Sequence, residues 1–178
     1  MQIEANNYPV AVLGAGTMGE GIAQIAATAG HPVMLYDVSQ QQLQTALENI
    51  SKRLERSVKK EKITAERRAK ILKNLSPQKT LGELAQAKLV IEAIIEDLAI
   101  KQAVFCELES LLAEDVILAT NTSSFDLNKM GSVLKRPQHF VGMHFFNPAP
   151  VMALVEIVRS EDTDSAVADT VFKLSEQW

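Results

Sequence analysis

The sequence predicts an α/β fold built on an open, mostly parallel sheet. Short apolar runs without polar alternation recur along the chain, and segments with helical apolar spacing separate them. Runs of this kind are typical of strands that helices cover on both faces. A glycine-rich turn also follows the first run. Together these features indicate parallel strands joined by crossover helices.

The first predicted unit is a strand, a turn, a helix and a second strand. The apolar run 10–13 leads directly into Gly-Ala-Gly-Thr-Met-Gly at 14–19. Small apolar residues at helical spacing follow over 22–29, and the next strand covers 33–36. Asp37 ends that strand. This order is that of one βαβ unit.

A polar and basic stretch, residues 39–75, interrupts the strand pattern. Its apolar positions keep helical spacing in two parts: Leu43, Ala46, Leu47, Ile50 and Leu54, and then, after a Thr64 cap, Ala69, Ile71, Leu72 and Leu75. We expect an inserted helical hairpin that projects from the sheet.

The remaining elements continue the alternation. Strands are predicted at 89–93, 116–120, 140–143 and 154–158, and helices at 98–112 and 164–177. Trp178 follows the last helix with no strand after it, whereas helices in such sheets normally lead into another strand. We therefore expect residues 1–178 to be one domain, truncated near its end.

Composition and charge exclude several classes of function. Lys and Arg number 18 against 22 Asp and Glu, a net charge of −4 that gives no general attraction to nucleic acid or anionic membranes. No apolar run reaches the roughly 18 residues of a membrane-spanning helix. The N-terminal residues do not resemble a signal peptide. We therefore expect no nucleic-acid or membrane partner.

The cysteine and the histidines bound two further properties. Cys106 is the single cysteine and forms no internal disulfide, so a reducing, cytoplasmic location is expected. The three histidines, His31, His139 and His144, show no metal-ligand spacing, so no metal site is expected.

The glycine pattern predicts a dinucleotide site. Gly14, Gly16 and Gly19 lie between a strand and a helix, as the Rossmann fingerprint requires. Such glycines allow a tight turn, close approach of a pyrophosphate, and close packing of helix on strand. A carboxylate at Asp37 would bind the ribose and repel a 2′-phosphate, which favours NAD(H) over NADP(H). The alternative is a structural turn with a surface aspartate.

Three polar clusters follow the later strands: Glu92 to Glu96 with Lys101, Asn121 to Ser124, and His144 to Asn147 with Glu156. Ligands of open α/β sheets bind beyond the carboxyl ends of the strands. We therefore expect the three clusters to converge on one crevice.

His144 is the candidate base. Oxidation of an alcohol by NAD⁺ requires a group that takes the hydroxyl proton, and an imidazole suits this near neutral pH. Glu156 would orient the ring and stabilise its charged form. Ser123 would bind the substrate oxygen or the nicotinamide side. The alternatives are a packed histidine, a surface carboxylate and an ordinary turn serine.

The basic hairpin over 52–62 has two interpretations. It is a solvated helix face, or it binds the phosphates of a coenzyme A substrate. Lys60 is the preferred candidate for the second role.

Four motifs resemble the NAD-binding domain of the (S)-3-hydroxyacyl-CoA dehydrogenases. They are the 14–19 turn, Val-Ile-Glu-Ala-Ile-Ile-Glu at 90–96, Asn-Thr-Ser-Ser at 121–124, and His-Phe-Phe-Asn-Pro-Ala-Pro-Val-Met at 144–152. The resemblance covers nearly the whole chain, and the His-Phe-Phe-Asn-Pro run is its most specific part.

The resemblance implies roles for individual residues. His144 and Glu156 would form the catalytic pair, with Ser123 near the 3-oxygen and the nicotinamide. The implied NAD contacts are Gly14, Ala15, Gly16, Thr17, Met18, Gly19, Asp37, Glu96, Lys101, Ser123 and Asn147. The hairpin would lie over coenzyme A, which supports Lys60.

The resemblance also implies the reaction, a reversible NAD-dependent oxidation of (S)-3-hydroxyacyl-CoA to 3-ketoacyl-CoA in fatty acid metabolism. Because the first strand begins near residue 10, we expect the monofunctional, 3-hydroxybutyryl-CoA or phenylacetate-pathway type. Ala153 departs from the family, whose members commonly carry lysine there.

The family also has a C-terminal helical domain that closes the crevice, supplies an asparagine and forms a dimer interface. It is absent from this sequence. We expect the chain to bind NAD(H) with poor turnover and the full-length protein to be a homodimer.

Two other functions stay open at this point. One is a non-catalytic NAD(H)-binding protein with a structural or regulatory role. The other is a β-hydroxyacid dehydrogenase that acts on free acids, which the basic hairpin disfavours.

Overall fold

Residues 4–178, which the computed structural model describes, form one seven-stranded sheet with helices on both faces. The strands are β1 (Val10–Leu13), β2 (Val33–Tyr36), β3 (Leu75–Gln78), β4 (Leu89–Glu92), β5 (Ile117–Thr120), β6 (Phe140–Phe145) and β7 (Val155–Val158). Their order is β3-β2-β1-β4-β5-β6-β7. Neighbours pair in parallel except β6 and β7. This confirms the predicted doubly wound, mostly parallel sheet.

The helices connect these strands. They are α1 (Thr17–Ala29), α2 (Gln40–Lys59), α3 (Ala65–Lys73), α4 (Leu98–Leu111), α5 (Leu127–Gly131) and α6 (Ser165–Ser175), with 3₁₀ turns at Ala5–Asn7, Leu81–Leu84 and Pro137–His139. Ser39, Thr64, Asp97, Asp126 and Asp164 cap α2 to α6 by accepting hydrogen bonds from backbone N–H groups of the first turn. Local polar residues therefore set where these helices begin.

The core has one part on each face of the sheet. Val10 and Val12 of β1 pack with α1, α2, α3 and α6. Ala11 and Leu13 point the other way and pack with α4 and α5. Because both faces are covered, β1, β4 and β5 are buried at every position, as their unbroken apolar runs predict.

The prediction is wrong at β3, where Leu75 was placed on a helix. Helix α3 ends at Lys73, and 75–78 pairs in parallel with β2 at the sheet edge. Ser76 and Pro77 are exposed, so the strand lacks the apolar run that marks its neighbours. An edge strand tolerates the missing N–H of Pro77.

The structure contains the predicted inserted helical hairpin, formed by α2 and α3, and shows that its inner face packs on the core. Four apolar residues of α2, Leu43, Ala46, Ile50 and Leu54, are buried in the core beside α1. Arg53 of α2 also pairs with Glu20 of α1, with Nη1 and Oε1 2.5 Å apart. The α2–α3 turn, where Lys60 lies, is exposed.

The end of the described chain packs against its beginning. The ring of Trp178 stacks on Phe145, with centroids 6.0 Å apart. Its Nε1–H donates to Nε2 of the buried His31, 2.9 Å away. Nδ1 of His31 lies 2.9 Å from the Tyr8 carbonyl oxygen. His31 therefore accepts at one nitrogen and donates at the other, which requires a neutral ring.

We predict that acid weakens folding through His31. Burial lowers its pKa more than hydrogen bonds to the Tyr8 and Ala5 carbonyls raise it. Between the folded-state and unfolded-state pKa values of His31, the folded chain binds fewer protons than the unfolded chain. The contribution of His31 to the free energy of unfolding is therefore complete above pH ~6.5 and is lost as the pH falls towards the lower folded-state pKa. Urea unfolding at pH 7 and pH 5 measures it. His31→Gln should reduce the loss of unfolding free energy between these pH values, and an equal loss in both proteins would contradict the prediction.

Candidate functional site

The turn between β1 and α1 has the geometry that its glycines predict. Gly14 has φ +92°, a left-handed conformation that favours glycine. A Cβ on Gly19 would lie 1.7 Å from the Gly14 carbonyl oxygen, so only glycine allows α1 to pack this closely. A Cβ on Gly16 would meet no atom of the described residues within 4 Å. The backbone at Gly16 is therefore open to a ligand.

Asp37 is fixed beside this turn. Its Oδ2 accepts the N–H of Ala15 at 2.7 Å, and its Oδ1 accepts the N–H of Ser39 at 2.8 Å. Each carboxylate oxygen keeps a further lone pair for another donor. The carboxylate is thus held at the end of β2, where it can accept hydroxyl hydrogens of a bound ribose.

A cleft of about 970 Å³ lies next to Asp37 and the turn. Val38 and Ile95 line it and are 88% and 65% exposed. Two exposed apolar side chains beside the Asp37 carboxylate suit the faces of a flat base. The open Gly16 backbone, the fixed Asp37 carboxylate and this cleft together fit the adenosine half of NAD.

A second cleft, of about 400 Å³, is lined by residues of the three predicted polar clusters. Its polar lining residues are Glu96, Lys101, Asn121, Ser123, His144 and Asn147. It shares Met18, Ala93 and Ile94 with the first cleft, so the two meet at the glycine turn. The carboxyl ends of β4, β5 and β6 therefore converge as expected, and an extended dinucleotide can reach from one cleft to the other.

His144 and Glu156 face each other across β6 and β7. They are direct partners in the antiparallel register, and Nδ1 of His144 lies 2.8 Å from Oε2 of Glu156. The carboxylate is acceptor-only, so Nδ1 carries the proton and Nε2 is left able to accept one. The sequence could not show this contact, because it depends on the antiparallel pairing of β7.

The loop after β5 presents Ser123 to the second cleft. The hydroxyls on either side of it, those of Thr122 and Ser124, both donate to Glu96, the latter at 2.8 Å. Burial by itself raises the pKa of Glu96, but these hydrogen bonds and the nearby Lys101 outweigh it and hold the pKa below its usual range. Glu96 is therefore an anion that fixes the loop around Ser123.

Lys101 is buried and paired with two carboxylates. Its Nζ lies 2.5 Å from Glu92 Oε1 and 3.1 Å from Glu96 Oε2. Glu92 is fully buried and also accepts hydrogen bonds from Thr120 Oγ1 at 2.7 Å and from the N–H of Ile94 at 2.8 Å. Glu92 was expected at the crevice as part of the first polar cluster, but no individual role was predicted for it. Its one sequence signal is a carboxylate that ends an otherwise apolar strand.

The family model for the NAD binding domain of 3-hydroxyacyl-CoA dehydrogenase matches residues 9–178. The chain belongs to this family. This confirms the resemblance carried by the four motifs and the assignment of the chain as an NAD-binding domain.

Individual relatives agree with this assignment. The chain is 43% identical to the 3-hydroxyadipyl-CoA dehydrogenase of Escherichia coli K12 over 97% of its own length and 36% of that protein. It is 44% identical to the fatty acid oxidation complex subunit alpha of Pseudomonas putida over 90% of its length and 23% of that protein. The chain thus spans about a third or less of these relatives.

A solved structure shows the same fold at similar identity. The crystal structure of 3-hydroxybutyryl-CoA dehydrogenase from Escherichia coli K12 superposes with a TM-score of 0.95 at 43% identity. The match covers 97% of this chain and 37% of that one.

The remaining predicted residues occupy different places. Thr17 and Met18 line the first cleft, and Asn147 lines the second. Lys60 lies outside both clefts, exposed at the end of α2. No group of three or more His, Cys, Asp or Glu side chains in residues 4–178 is arranged to hold a metal ion. No helix in the same residues is long and apolar enough to cross a membrane.

We predict that alanine substitutions at two glycines of the turn have different effects, one on NADH binding and the other on stability. Gly16→Ala should leave the melting temperature nearly unchanged but weaken NADH binding about tenfold or more, because the methyl group fills the approach to the backbone. Gly19→Ala should lower stability by about 1–3 kcal/mol, because its Cβ clashes with Gly14. Fluorescence titration and thermal unfolding measure the two effects. Wild-type NADH affinity in Gly16→Ala would contradict the assignment of the site.

We predict that removing only one partner of the buried Lys101–Glu92 pair costs more stability than removing both charges. Lys101→Met leaves the Glu92 carboxylate buried without its cation and should cost about 3–5 kcal/mol of unfolding free energy. Adding Glu92→Gln removes the stranded charge, so the double variant should be more stable than Lys101→Met alone. Urea unfolding of both variants checks this, and a double variant that is less stable would contradict it.

Proposed function

We propose that the protein containing this chain is an NAD-dependent (S)-3-hydroxyacyl-CoA dehydrogenase. It oxidises the 3-hydroxyl to a ketone and catalyses the reverse reduction. One observation carries the proposal within this family: a histidine–carboxylate pair, His144 with Glu156, lies beside the cleft that adjoins the dinucleotide turn. A base next to a dinucleotide site is what alcohol oxidation requires.

Bound NAD⁺ supplies the acceptor for the hydride that leaves C3 of the substrate. The residues that hold it are the 14–19 turn and Asp37 at the adenosine end. Glu96, Lys101, Ser123 and Asn147 are assigned to the nicotinamide end. The open backbone at Gly16 supports this arrangement.

His144 moves the proton. In the oxidation, Nε2 takes the proton of the 3-hydroxyl while the Nδ1–H group of His144 continues to donate its hydrogen bond to Glu156, whose charge stabilises the imidazolium. In the reduction, the protonated imidazole returns that proton to the 3-oxygen. The 2.8 Å contact with Glu156 keeps the ring in the tautomer that both directions need.

Ser123 holds the substrate oxygen. Its hydroxyl can donate to the 3-oxygen and so fix the distance between that oxygen and His144. Glu96 supports this role by binding the two neighbouring hydroxyls.

Lys60 is assigned to the coenzyme A phosphates. It lies away from both clefts on an exposed basic turn, which suits the phosphate end of a long thioester rather than its reacting end. The 3-hydroxyadipyl-CoA dehydrogenase relative also acts on a CoA ester, by its name.

The rest of the protein completes the active site in this proposal. A helical domain following this chain closes the crevice and forms a homodimer, and this chain alone binds NAD(H) but turns over poorly because water reaches the site. Exposed apolar residues in the loop between β6 and β7, among them Val151, Met152 and Leu154, support such a covering. The single cysteine, Cys106, favours a cytoplasmic location.

The direct test is NADH oxidation by the full-length protein with acetoacetyl-CoA, followed by absorbance. Free acetoacetate is the matched control. Turnover of the thioester alone supports the proposal, and turnover of the free acid indicates a β-hydroxyacid dehydrogenase. NADH binding without turnover of either compound would leave a non-catalytic binding protein as the better description.

We predict that His144→Gln lowers kcat with acetoacetyl-CoA by about 10²- to 10⁴-fold, the usual contribution of a general acid or base. The Kd for NADH should stay the same, because His144 is not assigned to the cofactor. Stopped-flow turnover and fluorescence titration separate the two quantities. An unchanged kcat would exclude His144 as the proton carrier.

A further inference from the structure

Strand β6 extends beyond its parallel partner. The pairing of β5 with β6 ends at Thr120 and Gly142, whereas β6 continues for three more residues to Phe145. On its other side β6 stays paired with β7 to the end, which includes the His144–Glu156 step. The segment that carries the proposed base is therefore supported by a strand on one side only, as far as the described chain shows.

Asn121 supplies the missing support on the β5 side. Its Oδ1 accepts the N–H of Phe145 at 2.8 Å. Its own backbone N–H donates to the Glu92 carbonyl oxygen at 2.9 Å, which ties it to the end of β4. The side chain of Asn121 thus takes the place of a strand acceptor for the residue directly after His144.

This backbone bond matters because the catalytic pair is only partly enclosed. The side chain of His144 is 22% exposed and that of Glu156 is 53% exposed, so the position of the pair also depends on the backbone of β6 that carries His144. Phe145, in contrast, is buried and stacked on Trp178 on the opposite side of the strand. Successive side chains of a strand point to opposite faces. The hydrogen bond to the Phe145 N–H therefore keeps Phe145 pointing into the core and His144 pointing towards the cleft.

We propose that Asn121 is a positioning residue for the His144–Glu156 pair. It touches neither ring nor carboxylate, but it fixes the backbone that aims Nδ1 at Glu156 and Nε2 into the second cleft. The inference rests on the proposed function, in which that imidazole moves the proton.

The test measures which tautomer the His144 ring adopts and does not depend on turnover. Nitrogen-15 NMR of the histidine rings of this chain, assigned with His144→Gln, reports which nitrogen carries the proton when the ring is neutral. We expect wild type to hold the Nδ1–H tautomer. Asn121→Ala should give a mixture of tautomers and faster hydrogen exchange at the Phe145 amide.

Two variants control the comparison. Asn121→Asp keeps an acceptor for the Phe145 N–H and should restore the single tautomer, read at a pH above the titration of the ring. Asn128→Ala removes a similar bond at a residue that does not line the cleft, in which Asn128 Oδ1 accepts the N–H of Glu161 at 2.8 Å, and should change nothing at His144. If Asn121→Ala does not fold, Asn121→Ser, whose shorter hydroxyl does not reach the amide, takes its place.

A single Nδ1–H tautomer in folded Asn121→Ala or Asn121→Ser would overturn the proposal. The same is true if Asn128→Ala disturbs the tautomer equally. Because no substrate is used, a failure here is distinct from a failure of the dehydrogenase assignment, which the acetoacetyl-CoA assay tests.

The full-length protein gives a second readout. Asn121→Ala should lower kcat about tenfold to a hundredfold with an unchanged Kd for NADH, since a misplaced catalytic group slows the chemical step. Asn121→Asp should recover most of that loss. An unchanged kcat, or a loss confined to NADH affinity, would contradict a positioning role.

Discussion

The buried pair of Lys101 and Glu92 connects the parts of this site. Two charges removed from water are tolerated only when each is fully hydrogen-bonded, and here Glu92 binds the lysine, Thr120 and the Ile94 amide. Those partners belong to α4, to β5 and to the loop after β4. Lys101 also holds Glu96, and Glu96 holds the hydroxyls around Ser123. The loop around Ser123 is therefore positioned by contacts that begin in the core. An exposed ion pair would contribute less to its position.

The sheet supplies the second half of the arrangement. Parallel strands bring their carboxyl ends to one edge, which places the glycine turn and the polar loops side by side. The antiparallel strand β7 then places the Glu156 carboxylate directly opposite His144. The proposed roles follow from this geometry. The turn binds the cofactor, and His144, positioned by Glu156 and Asn121, moves the proton.

The buried strands, the glycine turn and the starts of the helices could be predicted from the sequence because their signals are local. Buried strands show as apolar runs, the Gly14 turn has fixed spacing, and the helix caps are single residues. Strand β3 was missed because an exposed edge strand needs no apolar run. Glu92 was expected at the crevice, but its role as a buried anchor was not predicted because that role depends on partners from β5 and α4. The contacts of His144 with Glu156 and of Asn121 with Phe145 depend on register, which the sequence does not show.

We propose that hydride passes from C3 of a hydroxyacyl thioester to NAD while this domain holds both. The most direct test uses (S)-3-hydroxybutyryl-CoA with deuterium at C3, NAD⁺ and the full-length protein, with mass analysis of the nucleotide product. Direct hydride transfer gives NADH that carries the deuterium. NADH without deuterium, or no reduction of NAD⁺ by a folded protein that binds it, would contradict direct transfer at this site.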